Sequence, residues 1–177
     1  MEPVHPQFVH LPLALSALLP LLGGILTLAW WRGWLVRRVW LIVMLLHATL
    51  TISAFAAMQT GETDERVVQK IVHQDLIRDH EETAELFLWS TVVSLFLALI
   101  ATVAEEERIA LRYAVYTVLV SIGSLYLAID AGNQGGHLVY KYGASRAFIP
   151  VDYGGAPQQP HEGTLKKIRS DQEKLSP

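Results

Sequence analysis

Residues 86–104 read LFLWSTVVSLFLALIATVA and contain no ionisable side chain. A helix needs roughly 20 mainly apolar residues to cross the hydrocarbon core of a bilayer. Three further mainly apolar stretches of about this length lie at about residues 8–31, 39–58 and 113–130. Inside lipid every backbone N–H and C=O must find a partner within the protein, so such stretches form helices. The sequence therefore predicts an all-α fold, an integral membrane four-helix bundle.

The composition agrees with a membrane protein and excludes several kinds of site. Hydrophobic residues make up 51% of the 177 residues and charged residues 18%, whereas a soluble domain carries about 25% charged residues. The chain has no cysteine, which excludes disulfides, iron–sulfur clusters, thiolate metal sites and covalently attached haem. No basic, aromatic-rich stripe indicates nucleic-acid binding. No phosphate-binding glycine motif or nucleophile–base pair is evident, so we expect no independent catalytic activity.

The short turns between the spans carry the charges that predict the orientation. Their arginines are Arg32, Arg37, Arg38, Arg108 and Arg112. Because Lys and Arg next to membrane spans are enriched in the cytoplasm, we expect both short turns on the cytoplasmic side and both termini outside. Basic residues in the 59–85 loop and in the C-terminal tail oppose this orientation, but the short turns carry theirs more densely.

Two packing features accompany the first turn. The tryptophans around it are Trp30, Trp31, Trp34 and Trp40. Indole rings favour the headgroup layer, so we expect these side chains at the membrane surface. Within the first span, Gly23 and Gly24 predict the close approach of a neighbouring helix.

Polar segments flank the last two spans. In residues 61–85, apolar residues recur at helical spacing among charged ones, which predicts an interfacial helix between spans two and three, either separate or continuing into span three. After Gly143 the chain becomes rich in Pro, Gly and charged residues, which indicates an extended polar tail on the outer side. We therefore divide the chain into a transmembrane domain, residues 1–144, and a C-terminal tail, residues 145–177.

Most of the histidines fall at one membrane face in this topology. The five at the predicted outer face are His5, His10, His73, His80 and His137. Imidazole is the usual protein ligand of haem iron and a common ligand of other metal ions. His10, His80 and His137 come from three helix ends at similar depth, so we expect them to bind a b-type haem. All five are candidate ligands of a metal ion, and a continuous helix would place His73 and His80 on one face. His5 and His10 should diverge on a regular helix.

Other residues could contribute to such a site. The glycines Gly132, Gly135 and Gly136 would let backbone approach a flat macrocycle, although glycines after a helix are more often a cap and turn. His47 lies near the middle of span two, where a titratable group is a candidate for function. It is a candidate haem ligand or proton relay, or else a neutral imidazole bonded to a hydroxyl group. Alternatively, each outer histidine could be an ordinary amphipathic side chain at the membrane interface that binds no ligand.

Several motifs resemble those of a known family. They are residues 5–15 (HPQFVHLPLAL), Thr60-Gly61, the segment 80–84, and residues 135–140 (GGHLVY) followed by Tyr142-Gly143. Together they resemble the small bacterial four-helix membrane proteins called domain of unknown function 2231. The resemblance implies the fold, a bacterial inner-membrane location and shared histidine positions, which match His5, His10, His80 and His137. It implies no assigned activity, although such domains occur beside cytochrome modules.

Three functions fit the sequence. The first is a membrane subunit that binds haem b, or another histidine-ligated metal, and transfers electrons with other membrane or periplasmic subunits of a respiratory complex. The alternative is a cofactor-free structural or accessory subunit of a larger membrane complex. A small permease ranks last, because few polar residues line the spans.

Overall fold

The computed structural model describes residues 3–149, and all the regular structure in this range is helical. Five α-helices follow one another, together with 3₁₀ turns at Arg37–Val39 and Ala144–Phe148. The α-helices are α1 (His5–Phe8), α2 (His10–Trp31), α3 (Trp40–Val68), α4 (Gln74–Val103) and α5 (Glu107–Tyr140). Four helical stretches are long and apolar enough to cross a membrane, with α1 and α2 forming the first. The predicted all-helical, four-span fold is confirmed.

The four long helices stand side by side in chain order, and α5 closes the ring against α2. Each of α2 and α4 packs against both α3 and α5, so α3 and α5 lie diagonally across the bundle. Because successive helices run in opposite directions, α1 and the start of α4 share one end with the ends of α3 and α5. We call this end the histidine end and the other the turn end.

Small side chains allow the helices to lie close together. Along α5 a small residue is buried every three or four positions: Ala110, Ala114, Thr117, Ser121, Ser124, Ala128 and Ala131. The buried residues in the span region of α4 include Thr91, Ser94, Ala98 and Ala101. Small residues at helix interfaces are the usual basis of packing in membranes, where lipid is as apolar as leucine. On α2, a Cβ atom at Gly23 would lie 3.3 Å from Val118 of α5, so the predicted close approach is confirmed there.

The segment between the second and third spans is helical on both sides of a short turn. Helix α3 continues to Val68, and α4 begins at Gln74 and runs on into the third span, as in the predicted alternative of a helix that continues into that span. The position of this segment at a membrane interface stays a prediction. The periodic apolar residues pack as a small cluster across this turn, made of Val68, Val72, Leu76, Ile77, Leu138 and Ala144. Gly143 makes this possible, because its positive φ of 74° turns the chain back after α5.

The tryptophans were only partly predicted. Trp31 and Trp34 are exposed, as expected at a membrane surface, but Trp30 and Trp40 are buried in the core. Trp30 Nε1 donates to Glu107 Oε1 at 3.0 Å, and Trp40 Nε1 donates to the Ala98 carbonyl at 3.3 Å. A buried indole needs an acceptor for its N–H, and these two contacts provide one. Of the predicted tail, residues 150–177 lie outside the described range.

Candidate functional site

Two histidines from different helices meet at the histidine end. The rings of His5 on α1 and His80 on α4 have centroids 6.2 Å apart and planes inclined by 76°. Both side chains are half-buried. Residues far apart in the sequence thus bring two imidazoles into one place, and this pair is the centre of the candidate site.

The His5 ring is oriented by backbone of α3. Its Nδ1 lies 2.8 Å from the Ala57 carbonyl oxygen, which can only accept a hydrogen bond, so Nδ1 carries the proton of the neutral ring. Thr60 Oγ1 lies 3.4 Å from the same nitrogen. Neutral Nδ1-protonated imidazole has an unprotonated Nε2 with a free lone pair. A metal-binding histidine usually has this arrangement, in which the other ring nitrogen donates to a carbonyl group.

Asp64 fixes the helix that carries His5. Its Oδ2 accepts hydrogen bonds from the backbone N–H groups of Val4 and His5, each at 2.9 Å. These N–H groups belong to the start of α1 and have no partner within that helix. The Asp64 carboxylate therefore anchors α1 to α3 and sets the position of the His5 ring.

A glycine lies under each of the two rings. A Cβ atom at Gly61 of α3 would lie 3.3 Å from His5 Nδ1, and one at Gly135 of α5 would lie 3.3 Å from His80 Cε1. Gly132 and Gly136 have open space where a Cβ would be. Gly135 thus accommodates an imidazole, and the role of the glycines as a cradle for a macrocycle stays a prediction.

Beside His80 are polar atoms without partners among the described residues. His80 Nδ1 and Gln134 Oε1 are both buried and make no well-aligned hydrogen bond there, although the Ala131 carbonyl of α5 lies near the His80 ring. The amide nitrogen of Gln134 donates to Thr83 Oγ1 at 3.0 Å, which fixes the Gln134 side chain between α5 and α4. Buried polar atoms normally have partners, so these two atoms make the histidine end a candidate ligand site.

The other predicted ligands lie apart from this pair. His10 and His137 are exposed. His73 is also exposed, and its Nδ1 lies 3.3 Å from Asp75 Oδ2. It caps α4 in an extended conformation, so the continuous helix expected to align it with His80 starts one residue later. Within residues 3–149, no three His, Asp or Glu side chains come together in a geometry that could hold a metal ion.

His47 is placed in the core of the bundle, with 1% of its surface exposed. Its Nδ1 lies 2.9 Å from the Val43 carbonyl oxygen, and its Nε2 lies 2.9 Å from Ser121 Oγ. Both ring nitrogens therefore have protein partners, and iron could bind only after one of these contacts was broken. We leave His47 out of the candidate cofactor site.

The sequence placed His5 among the candidate metal ligands but not among the predicted haem ligands, which included His10. That prediction took His5 and His10 as points on one regular helix. The chain instead ends α1 at Phe8 and restarts as α2 at His10, so the two side chains belong to different helices. Asp64 and Thr60 were missed as partners of His5. The Thr60-Gly61 pair was a signal for them, since it already belonged to the motifs that carry the family resemblance.

Comparisons of this chain with protein-family models, with curated proteins and with solved structures found no match. The family resemblance of the motifs therefore stays a prediction.

We predict that Asp64→Ala releases α1 from the bundle. The variant loses two hydrogen bonds to a carboxylate, each of which contributes about 1.5–3 kcal/mol. Hydrogen–deuterium exchange of residues 3–9 should therefore become faster, while exchange in the core of α5 stays slow. Glu62→Ala is the matched control, because Glu62 is an exposed carboxylate on the same helix. Equal exchange in both variants would show that Asp64 does not anchor α1.

Proposed function

We propose that the protein is a membrane electron-transfer subunit in which His5 and His80 bind one b-type haem at the histidine end. The observation that carries the proposal is the pair of imidazoles, one of them oriented by a carbonyl group and the other with a buried unpartnered nitrogen. Bound haem would supply one-electron exchange between ferric and ferrous iron. His5 and His80 would hold the haem, and the backbone around them would set the orientation of the two rings.

The spacing of the rings, which is that of an edge-to-face contact, also falls in the range for two imidazoles on a single metal centre. Two imidazoles on one metal have centroids roughly 5–6.5 Å apart, depending on the angle at the metal, because metal–nitrogen bonds are about 2.0–2.1 Å long. The centroids of His5 and His80 are 6.2 Å apart. His5 and His80 would therefore be the two residues that hold the haem iron, and the bound haem would supply one-electron exchange.

The number of ligands favours haem over a bare ion. A structural zinc site takes four protein ligands and a catalytic one takes three. Haem iron needs only one or two side chains, because the macrocycle supplies the remaining nitrogens. The described residues bring two imidazoles together, which matches haem.

The orientation is part of the proposal. The arginine-rich short turns lie at the turn end, and basic turns favour the cytoplasm. The histidine end would then face the outer side of a bacterial inner membrane, where periplasmic or membrane partners could exchange electrons with the haem. The family resemblance of the histidine motifs supports the same location.

We predict that His5→Ala and His80→Ala each lose haem. Loss of a residue that hydrogen-bonds to a metal ligand typically lowers metal affinity at least about tenfold. Loss of the ligand itself should lower haem affinity by at least as much. The measurement is the haem content per chain after purification from cells supplied with haem. His73→Ala is the control, since His73 is exposed on the same side and paired only with Asp75. A colourless wild-type protein would overturn the proposal and favour the cofactor-free accessory subunit.

The adjacent glycines of α5 provide a second, finer prediction. Gly135→Ala should shift the haem absorption bands or weaken binding, because the new methyl group would press on the His80 ring. Gly136→Ala adds the same methyl group to the same helix but meets open space, so its spectrum should equal that of the wild type. Both changes raise helix propensity alike. Identical spectra for the two variants would remove His80 from the haem site.

Single cysteines test the orientation, because the chain has none of its own. Gln69→Cys places a thiol in the exposed turn at the histidine end, and Val36→Cys places one in the exposed turn at the turn end. In whole cells a membrane-impermeant thiol reagent should label the first and spare the second. The reverse pattern would invert the proposed topology.

A further inference from the structure

His47 makes the one hydrogen bond between side chains that crosses the described bundle diagonally, from α3 to Ser121 on α5. At a rise of 1.5 Å per residue, it lies about 20 Å along α3 from Thr60 and hence from the His5–His80 pair. The imidazole is therefore deep in the membrane and remote from the proposed haem. Ionisable side chains at this depth are rare and usually functional.

The contacts of His47 fix one of its protons. Nδ1 faces the Val43 carbonyl oxygen, which only accepts, so Nδ1 is protonated. Nε2 faces Ser121 Oγ at 2.9 Å, and the same Oγ lies 2.7 Å from the Thr117 carbonyl oxygen. A serine hydroxyl has a single proton to donate. Ser121 can thus donate to Nε2 or to Thr117, but not fully to both.

This geometry accommodates two protonation states. When His47 is neutral, the Ser121 hydroxyl donates to Nε2. When Nε2 has gained a proton, it donates to Ser121 Oγ, and the hydroxyl turns to donate to the Thr117 carbonyl. The same three groups satisfy both states, and only the hydroxyl hydrogen rotates. Binding of a proton therefore leaves no buried donor without an acceptor, so the cost that remains is that of placing the imidazolium charge in an apolar interior.

We propose that His47, Ser121 and Thr117 form a proton-binding site in the middle of the bundle, with His47 Nε2 as the acceptor. The proton enters on Nε2, the charge resides on the imidazolium, and no other bond is made or broken. This inference does not rest on the proposed haem, because the groups and the distances that carry it are separate from the histidine end.

No other charged group competes for that proton. Asp, Glu, Lys and Arg are absent from residues 11–31 of α2, 86–103 of α4 and 113–129 of α5. On α3 the nearest are Arg38, just before the helix, and Glu62, towards the histidine end. Tyr116 and Tyr126 of α5 are exposed on its outer side. Ser94 of α4 is also buried in the span region, and its hydroxyl has no hydrogen-bond partner within residues 3–149.

The test is ¹⁵N NMR of the full chain labelled at histidine, in lipid nanodiscs, with the His47 signals assigned by their loss in His47→Gln. We expect a neutral form protonated on Nδ1 at high pH and a form protonated on both nitrogens at low pH. Spectra should be recorded over about three pH units on either side of 6.5, the ordinary pKa of a histidine side chain. A neutral form protonated on Nε2, or no charged form anywhere in this range, would overturn the proposal.

Two serine variants of α5 sharpen the test. Ser121→Ala removes the partner of Nε2 in both states, and the bond to the charged ring is the stronger one, so the ratio of charged to neutral His47 at a given pH should fall about fivefold. Ser124→Ala is the matched control, because Ser124 is equally buried and its hydroxyl donates to the Val120 carbonyl instead. A ratio unchanged in Ser121→Ala would exclude the hydroxyl switch. Should Ser121→Ala fail to fold, the protonation of the two wild-type nitrogens still decides the proposal.

Discussion

The close approach of α4 and α5 is the constraint on which the rest of the structure depends. Lipid offers no hydrophobic force to bring helices together, so the contact must come from small side chains and from paired polar groups. The alanines, serines and threonines buried along both helices meet this requirement. Because the helices lie so close, Gly135 can lie directly under the His80 ring at one end of the contact. At mid-membrane, Ser121 is near enough to bond a histidine on the diagonally opposite helix.

The two polar centres of the bundle differ in what they leave free. At the histidine end, His80 Nδ1 and Gln134 Oε1 remain without partners, and His5 keeps an unprotonated Nε2. In the core, both nitrogens of His47 are bonded to protein. Atoms with unused lone pairs suit a ligand that can accept them, such as the iron of haem. Complete pairing with a movable hydroxyl suits a proton, which needs no space. In the two proposals, the same side chain would serve two different chemistries according to its neighbours.

The sequence predicts some features of this protein well because they depend on local composition. Long apolar runs require helices in lipid, so four spans follow from residues such as 86–104 without knowledge of their neighbours. The histidine end was also predictable, since alternating helix directions bring together the ends that carry His5 and His80. Small residues such as Gly23 indicate a close contact, although they do not name the partner helix.

Features that depend on the rotation of one helix against another could not be predicted. The pairing of His47 with Ser121 requires the register of two diagonal helices, which no local pattern encodes. The contact of His5, rather than His10, with His80 depends on a helix break at Val9 and on the Asp64 anchor, which no local pattern encodes. Trp30 is buried rather than interfacial because Glu107 happens to lie where its N–H can reach.

Low-temperature EPR of the oxidised protein, purified from cells supplied with haem, tests the central claim most directly. The paired imidazoles of His5 and His80 predict a low-spin ferric signal from one iron per chain, whereas a high-spin signal or the absence of haem iron would contradict the two-histidine site.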